Sequence, residues 1–464
     1  MILLNIFQGW NLKNKIYLLT FYIISFGAQQ RLLAVNTIKS QVTPASPLLS
    51  LAEAEERTLQ YSSQIKVSEL SLISAQEEVA SINATRYPKL SLVANFQNIQ
   101  EVPKIKVGLL EQPLSDHRQY SIGPTLSYSL WDGGLKKKLV ESLRWKEDSL
   151  KIEKNLTEIE LKLNLRTTYV KAQLVTITHE LVKDALRLAL EQAADIQNKY
   201  RAGAISRMDL LNSQFELANA EIREKQAKSE KNSNYLALAR LIGEPELRYD
   251  WRLESWDNQI ISLKNKSLQV NNNTISVKMS ENSKVKLLEA KSKSMESLAE
   301  SKSASHWPQI QLSARSSLDY PFGPEKRQFH QNTIMATLQW DLYDFGGHSH
   351  EKAKHLAESS ALTYQSSLMR EELEQKLKET DDQMMSLVDQ LKSAEQAESE
   401  SGKLADLKKQ TYKLGKMSYL DVATSQVQHL DSQIRRAKIE AQLLIQKHQL
   451  EYLQTNIEPN TINR

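Results

Sequence analysis

From Pro88 onward the chain alternates apolar and polar positions: Leu90, Leu92, Ala94 and Phe96 share one face, Lys89, Ser91, Val93 and Asn95 the other. A polar loop with Pro103, Gly108 and Pro113 follows. A second alternation then sets Ile122, Leu126, Tyr128 and Leu130 against Ser121, Gly123, Thr125, Ser127 and Ser129. A period of two marks a strand with one apolar face, so residues of about 88–131 predict a β-hairpin. The same pattern at Ile310, Leu312 and Ala314, and at Ile334, Ala336, Leu338 and Trp340, predicts a second hairpin at about 308–343.

Elsewhere the period is helical. After Gly134 it runs unbroken to Tyr200, about 66 residues or about 99 Å at 1.5 Å per residue. Leu156, Leu163, Val170 and Ile177 recur every seven residues, with Leu174, Leu181 and Leu188 as a second seam, which is heptad packing against a neighbouring helix. Gly203 ends this helix, and another spans Ser206 to Ile242, closed by Gly243 and Pro245. The helix before the hairpin, Leu51 to Thr85, measures about 52 Å and the one after the turn about 55 Å, together close to the long helix. Ser276 to Ser305 and Ser418 to Leu453, about 45 and 54 Å, stand in the same relation to about 98 Å from His348 to Tyr412. Matched lengths suit parallel staves of one cylinder.

This regularity is a duplication. Tyr200, Gly203, Ser206, Asp209, Ser213 and Gln214 recur 212 residues later as Tyr412, Gly415, Ser418, Asp421, Ser425 and Gln426. Leu130-Trp131-Asp132-Gly133-Gly134 recurs as Leu342-Tyr343-Asp344-Phe345-Gly346-Gly347, and Tyr87-Pro88 as Trp307-Pro308. The reading divides the chain into a first repeat, 50–245, with its helical turn at 200–209, and a second, 276–455, with its turn at 412–421. Between them lies a connector, 246–275, and a tail, 456–464, follows. In the turns, Gly203 and Gly415 suit the left-handed position past a helix end. Ser206 and Ser418 suit N-caps, and Asp209 and Asp421 complete capping boxes.

Composition narrows what such a chain can do. Only 13 Gly and 11 Pro in 464 residues agree with long uninterrupted helices. Sixty basic and 56 acidic residues, mixed along the chain, leave no nucleic-acid footprint. The absence of cysteine excludes disulfides, thiolate chemistry and an acylated N-terminal cysteine. Lys13 and Lys15, the apolar run Ile16 to Ile24 and the small residues Gly27 and Ala28 read as a signal peptide, residues 1–28, followed by a linker, 29–49. No other stretch approaches a transmembrane helix, so a membrane-spanning role falls to the strands in a closed barrel. Four strands cannot close one, so several copies must contribute. Aromatic residues at the strand ends, Tyr87, Tyr120, Trp131, Trp307 and Tyr343 among them, match an interfacial girdle.

His348, His350, Glu351 and His355 form the one metal-like cluster; of these Glu351 and His355 share a helix face, and no third ligand at suitable spacing supports a site. No phosphate loop, nucleophile elbow or paired-carboxylate cleft is present, so neither cofactor, metal nor enzymatic activity is expected.

In order and duplicated, four motifs resemble the TolC-like outer-membrane efflux protein family: the Tyr-Pro-x-Leu-Ser-Leu entry at Tyr87, the Leu-Trp-Asp-Gly-Gly exit at Leu130, the Tyr-x-x-Gly-x-x-Ser-x-x-Asp turn at Tyr200 and the Leu-Ile-Gly-Glu-Pro stop at Leu241. The resemblance, over roughly residues 50 to 455, implies a mainly α protein with a membrane β-barrel part. Two tandem repeats of helix, β-hairpin, long helix and helix would form a homotrimer, its 12-stranded barrel continuous with a 12-helix α-barrel. It further implies outer-membrane location with a long periplasmic portion, and passive conduction in tripartite efflux or type I secretion. The partners would be outer-membrane lipid, a periplasmic adaptor and an inner-membrane pump of the ABC, RND or MFS type. Tyr200, Gly203, Ser206, Asp209, Tyr412, Gly415, Lys416, Ser418 and Asp421 would then form the periplasmic tip, gate and adaptor contact. Met417 and Thr424 depart from the family's charged gate positions. The competing expectation is a secreted coiled-coil adhesin or scaffold, which accounts for the heptads but not for matched hairpins between helices.

Overall fold

The computed structural model describes residues 48–108, 110–244, 251–265 and 281–455, all within one unit, Leu48–Arg464. The expected signal peptide, most of the linker, Pro245, the connector residues 246–250 and 266–275, the expected start of the second repeat at 276–280, and the tail 456–464 lie outside the described residues.

Strand β1 (Leu48–Leu49) leads into α1 (Leu51–Tyr61) and α2 (Ser63–Ala84). Strands β2 (Lys89–Asn98) and β5 (Arg118–Trp131) form the first hairpin, and β3 (Lys104–Val107) and β4 (Leu110–Pro113) a small ribbon inside its loop. The long α3 (Leu135–Arg201) and α4 (Arg207–Ile242) complete the first repeat. After β6 (Arg252–Leu253) and α5 (Asp257–Asn265), the second repeat has α6 (Ser283–Ala304), the hairpin β7 (Gln309–Tyr320) with β8 (Phe329–Gln339), α7 (Gly347–Lys413) and α8 (Tyr419–Thr455). Both long helices have 67 residues, about 100 Å each.

Four expectations need correction. The helix expected from Leu51 to Thr85 is broken at Ser62, whose ψ of 117° leaves the helical region and whose hydroxyl faces the Ile65 N–H at 3.5 Å. The break lets α1 lean on the end of α4, where Tyr61 lies so close that a Cβ on Gly243 would come within 2.6 Å of it. The first hairpin's loop is not wholly irregular, because β3 and β4 pair within it. The second hairpin ends at Gln339, so Trp340 and Tyr343 lie beyond the ladder. Finally, linker and connector are partly regular: β1 pairs in parallel with β6, and α5 is a helix.

The Asp-Gly-Gly element at the head of each long helix is a cap. The Asp132 carboxylate accepts from the N–H groups of Gly134, at 3.0 Å, and Lys136, at 3.4 Å. Asp344 does the same for Gly346, at 3.0 Å, and His348, at 2.7 Å, and these bonds, His348 first, hold its carboxyl below the usual value. Gly134 and Gly346 sit at φ near +87° and +86°, where only glycine is unstrained. Phe345 stands at φ +54° where the first repeat has Gly133, a strained conformation for a side-chain-bearing residue, with its ring largely exposed. At Gly133 a Cβ would come within 2.8 Å of the Ala304 carbonyl oxygen.

The four long strands form one antiparallel sheet in the order β2-β5-β7-β8, so the hairpins join through β5 and β7. Helices α2, α3, α6 and α7 lie side by side near the sheet; α4, α3, α8 and α7 do so near the turns. The contacts show this: α3 pairs Lys146 with Glu78 (2.7 Å) and Lys154 with Glu69 (2.9 Å) of α2, then His179 with Glu224 (3.3 Å) of α4. Small side chains bring α6 close to both neighbours. Ser142 and Ser294 exchange hydrogen bonds to each other's carbonyl at 2.7 and 2.9 Å, and Ser292 bonds Ser359 and Thr363 of α7.

The main apolar core sits midway along α3 and α7, where α5, α6 and α8 meet them: Val170, Trp256, Ile260, Val285, Met384, Leu391, Leu443 and Leu444 are buried together. The predicted heptad residues Leu163, Leu174 and Ile177 pack against it. A second core joins Leu49, Ala54, Leu165, Tyr169, Tyr235 and Leu238. There the buried Tyr169 hydroxyl donates to the Leu49 carbonyl at 2.6 Å and accepts from the Glu254 N–H at 3.0 Å, clasping β1 and β6 to α3. Burial pushes that phenol up to about 12.

Candidate functional site

The helical turns follow directly from their glycines. Gly203 and Gly415 both have φ +73°, and a Cβ on either would meet nothing within 4 Å, so backbone conformation alone calls for glycine. In each turn the glycine N–H donates to a tyrosine carbonyl, Tyr200 or Tyr412, at 2.9 Å. The next N–H, of Ala204 or Lys416, reaches back to Lys199 or Thr411, which closes a Schellman-type stop. Ser206 then accepts from the Asp209 N–H at 3.1 Å, and Ser418 from the Asp421 N–H at 3.3 Å. The reciprocal arm differs from a full capping box. Each serine hydroxyl donates to the aspartate carboxylate, at 2.8 and 2.6 Å, because aspartate is a methylene too short to reach back as glutamate does.

Packing brings the two turns together. Ile196 near the end of α3, Tyr419 and Ala423 at the start of α8 form one buried cluster, with Ile205, Leu210 and Tyr412 against it. Tyr412 meets Tyr419 edge-on at 6.1 Å and receives the Lys199 ammonium over its ring at 5.6 Å. Its phenol is raised chiefly by burial, opposed by Lys199 and reinforced by the Asp209 and Asp195 carboxylates, which places Asp209 in its electrostatic reach. Tyr200 is exposed, and Arg207 occupies the place equivalent to Tyr419. Among the described residues Lys416 makes no ion pair, and neither do Asp209 and Asp421.

Tyr419 is the functional candidate that sequence reasoning missed. It is buried, bonds Gln192 at 3.5 Å, and is pushed up to about 12, first by burial and then by Glu216. The first repeat has Arg207 at the equivalent place, so the duplication does not mark it; its one signal is an aromatic ring directly after an N-cap serine. Tyr419 also lines a groove of about 330 Å³ between α3, α4 and α8, with Leu188, Gln192, Glu216, Arg223 and Leu430.

At the other end, the apolar face of the sheet is open. Leu90, Leu92 and Ile334 are 71%, 72% and 80% exposed, and they fall in cross-strand rows such as Leu90–Leu126–Ala314–Ile334. The opposite face is lined by Ser, Thr, Asn and Gln, in rows such as Ser91–Thr125–Arg315–Thr333. Aromatic residues occupy both ends of the strands. Trp131 packs edge-on against Trp307 at 6.3 Å beside exposed Tyr87, and Tyr343 against Phe345 at 4.6 Å, at the helix end; Tyr120 stacks on Tyr320 at 5.0 Å at the loop end.

The histidine cluster is dispersed among separate partners. His348 faces Asp344 (3.7 Å), Glu351 pairs with Lys302 (3.0 Å) and His355 with Glu358 (2.9 Å). Among the described residues no three potential metal ligands converge, and no helix is long and apolar enough to cross a membrane.

A duplicated helix–hairpin–helix unit, its strands apolar on one face and polar on the other, is the architecture of a channel subunit, and comparison with known proteins agrees. The sequence profile of the outer membrane efflux protein family matches residues 55–244 and 275–454, and the chain belongs to that family of transport channels, which are not enzymes. Its fold is similar to that of CusC, at 13% identity and a TM-score of 0.74 over 88% of this chain and 92% of that one. It is also similar to the Vibrio cholerae outer membrane protein VceC, at 14% identity and 0.71 over 87% and 95%. The Campylobacter jejuni CmeC outer membrane channel matches at 14% and 0.72 over 89% and 87%. No curated protein matches the chain.

Proposed function

We propose that three copies of this chain form a passive exit duct in the outer membrane, the outermost part of a tripartite efflux or type I secretion assembly. The observation that carries this reading is the four-stranded sheet, which leaves one edge of β2 and one edge of β8 unpaired beneath an exposed apolar face. Open edges are not tolerated in lipid, and three such sheets joined edge to edge make a closed ring of twelve strands. The helices support the same count, since four lie side by side at each level. The outer flanks of these layers carry exposed apolar side chains: Val67 and Leu70 on α2, Leu211 and Phe215 on α4, Tyr364 and Leu368 on α7. Buried between copies, these faces become ordinary helix packing.

In this reading the aromatic residues Tyr87, Tyr120, Trp131, Trp307 and Tyr343 lie at the two lipid–water interfaces. The turns point into the periplasm, where a periplasmic adaptor and an inner-membrane pump of the ABC, RND or MFS type meet the duct. Tyr200, Gly203, Ser206, Asp209, Tyr412, Gly415, Lys416, Ser418 and Asp421 form the tip, with Asp209 and Asp421 setting its charge at the constriction.

The test is assembly and conduction. The detergent-extracted protein should have three times the protomer mass, change gel mobility on heating and form channels in planar bilayers; a water-soluble monomer that ignores liposomes refutes the duct. Asp209→Ala and Asp421→Ala should raise single-channel conductance or shift its ion preference, and wild-type currents from both remove the gate assignment.

A further inference from the structure

The register sets the height of every charge on the polar face of the sheet. Across β2, β5, β7 and β8 the residues on that face are mostly Ser, Thr, Asn and Gln, and only Lys89, Arg315 and Asp319 are ionisable. Lys89 starts β2 in the row Lys89–Ser127–Ser313–Met335, two positions along β7 from Arg315, and Asp319 closes β7 at the loop end. Arg315 stands at the middle of β7, in the row Ser91–Thr125–Arg315–Thr333. Its guanidinium donates to the Ser121 hydroxyl, and its Nε has no partner. Among the described residues no carboxylate forms an ion pair with it. Asp319 is four positions along the strand, about 13 Å at 3.3 Å per residue. Both groups border a polar hollow on this face, with Asn95, Gln97, Ser121 and Thr333.

We propose that Arg315 sets the ion preference of the strand section, making a lumen lined mainly by neutral side chains attractive to anionic solutes. The inference rests on the duct reading, which places three copies of the row at one level of a closed ring. Guanidinium stays charged at any working pH, the flanking Ser and Thr hydroxyls supply donors to a passing anion, and the one carboxylate on this face, Asp319, is about 13 Å away along the strand. Three unit charges about 10 Å from the axis, screened at 0.1 M salt, concentrate anions about twofold and deplete cations about twofold, a shift of about fivefold in their ratio.

The absence of cysteine permits a direct measurement. Thr333→Cys places one thiol in the row of Arg315. Its reaction rates with an anionic sulfonatoethyl and a cationic trimethylammonioethyl methanethiosulfonate are measured on the assembled protein, with Arg, Gln or Lys at position 315. Arg315→Gln should lower the anionic-to-cationic rate ratio about fivefold at 0.1 M salt and far less at 1 M, and Arg315→Lys should restore it. Ser91→Cys in the same row serves as a second reporter should Thr333→Cys not assemble. A ratio that is unchanged in Arg315→Gln, or thiols inert to both reagents, overturns the assignment while leaving the duct intact. A chain that never forms a heat-modifiable trimer overturns the duct, and this inference with it.

Discussion

The junction between the two hairpins hangs on Gly123. A Cβ there would overlap the Ser316 carbonyl oxygen and lie 2.6 Å from the Ser317 Cα. Carbon atoms rest at about 3.5–4.0 Å, so Gly123→Ala must push β5 and β7 apart by about 1 Å. Overpacking of this kind costs about 1–3 kcal/mol. The separation also weakens the ladder on either side, at the Ile122–Leu318 and Thr125–Arg315 pairs, by about 1 kcal/mol each. Pro124 has no N–H and leaves no spare bond to compensate. The total, about 3–5 kcal/mol per chain, is enough to abolish assembly in a ring that needs all its junctions. The assay is the heat-modifiable band on a gel and the yield of channels in planar bilayers. Gly203→Ala is the control: it has the same chemistry and open space around the Cβ, so only the left-handed backbone penalty of about 1 kcal/mol applies and assembly survives. A Gly123→Ala protein that assembles and conducts like the wild type refutes the close approach of the strands, and the sheet order with it.

Two further outcomes follow from buried hydrogen bonds and charges. Tyr169→Phe should cost about 2–4 kcal/mol, because the Leu49 carbonyl and Glu254 N–H lose their shared partner, and amide exchange at Glu254 should quicken by more than about tenfold. Unchanged protection there disproves the clasp. Glu451, held below its ordinary value of 4.5 by the His448 hydrogen bond first and by Lys447 and Arg166, contributes stability that is fully present above pH 4.5 and lost as the pH falls through its lower folded value. The thermal midpoint of the wild type should therefore approach that of Glu451→Gln in acid, and parallel profiles would contradict the linkage.

Much of the scaffold was legible because it is periodic. The 67-residue α3 and α7 end within a residue or two of where glycine and serine signals put them, and the alternating strands lie where their apolar faces predicted. The turns were equally legible, since a left-handed glycine followed by a capping serine and an aspartate is local chemistry. The break at Ser62 was not, because the residues on both sides favour helix and the surface on which α1 packs, the end of α4, is far away in sequence. Nor could the serines of α6 be recognised as interior, for serine is ordinarily a surface residue and only the facing Ser142 and Ser359 make it a close-packing one.

By itself, then, the amino-acid order determined the kind, length and duplication of the elements, because backbone periodicity and capping depend on neighbours a few residues apart. Which elements touch was decided only in three dimensions. The joining of β5 to β7 at Gly123, the clasp at Tyr169, the burial of Tyr419 between two turns and the lone charge of Arg315 in its row all arise from residues dozens to hundreds of positions apart. Contacts of that range are selected by shape, hydrogen-bond satisfaction and the exclusion of water, none of which a local pattern records.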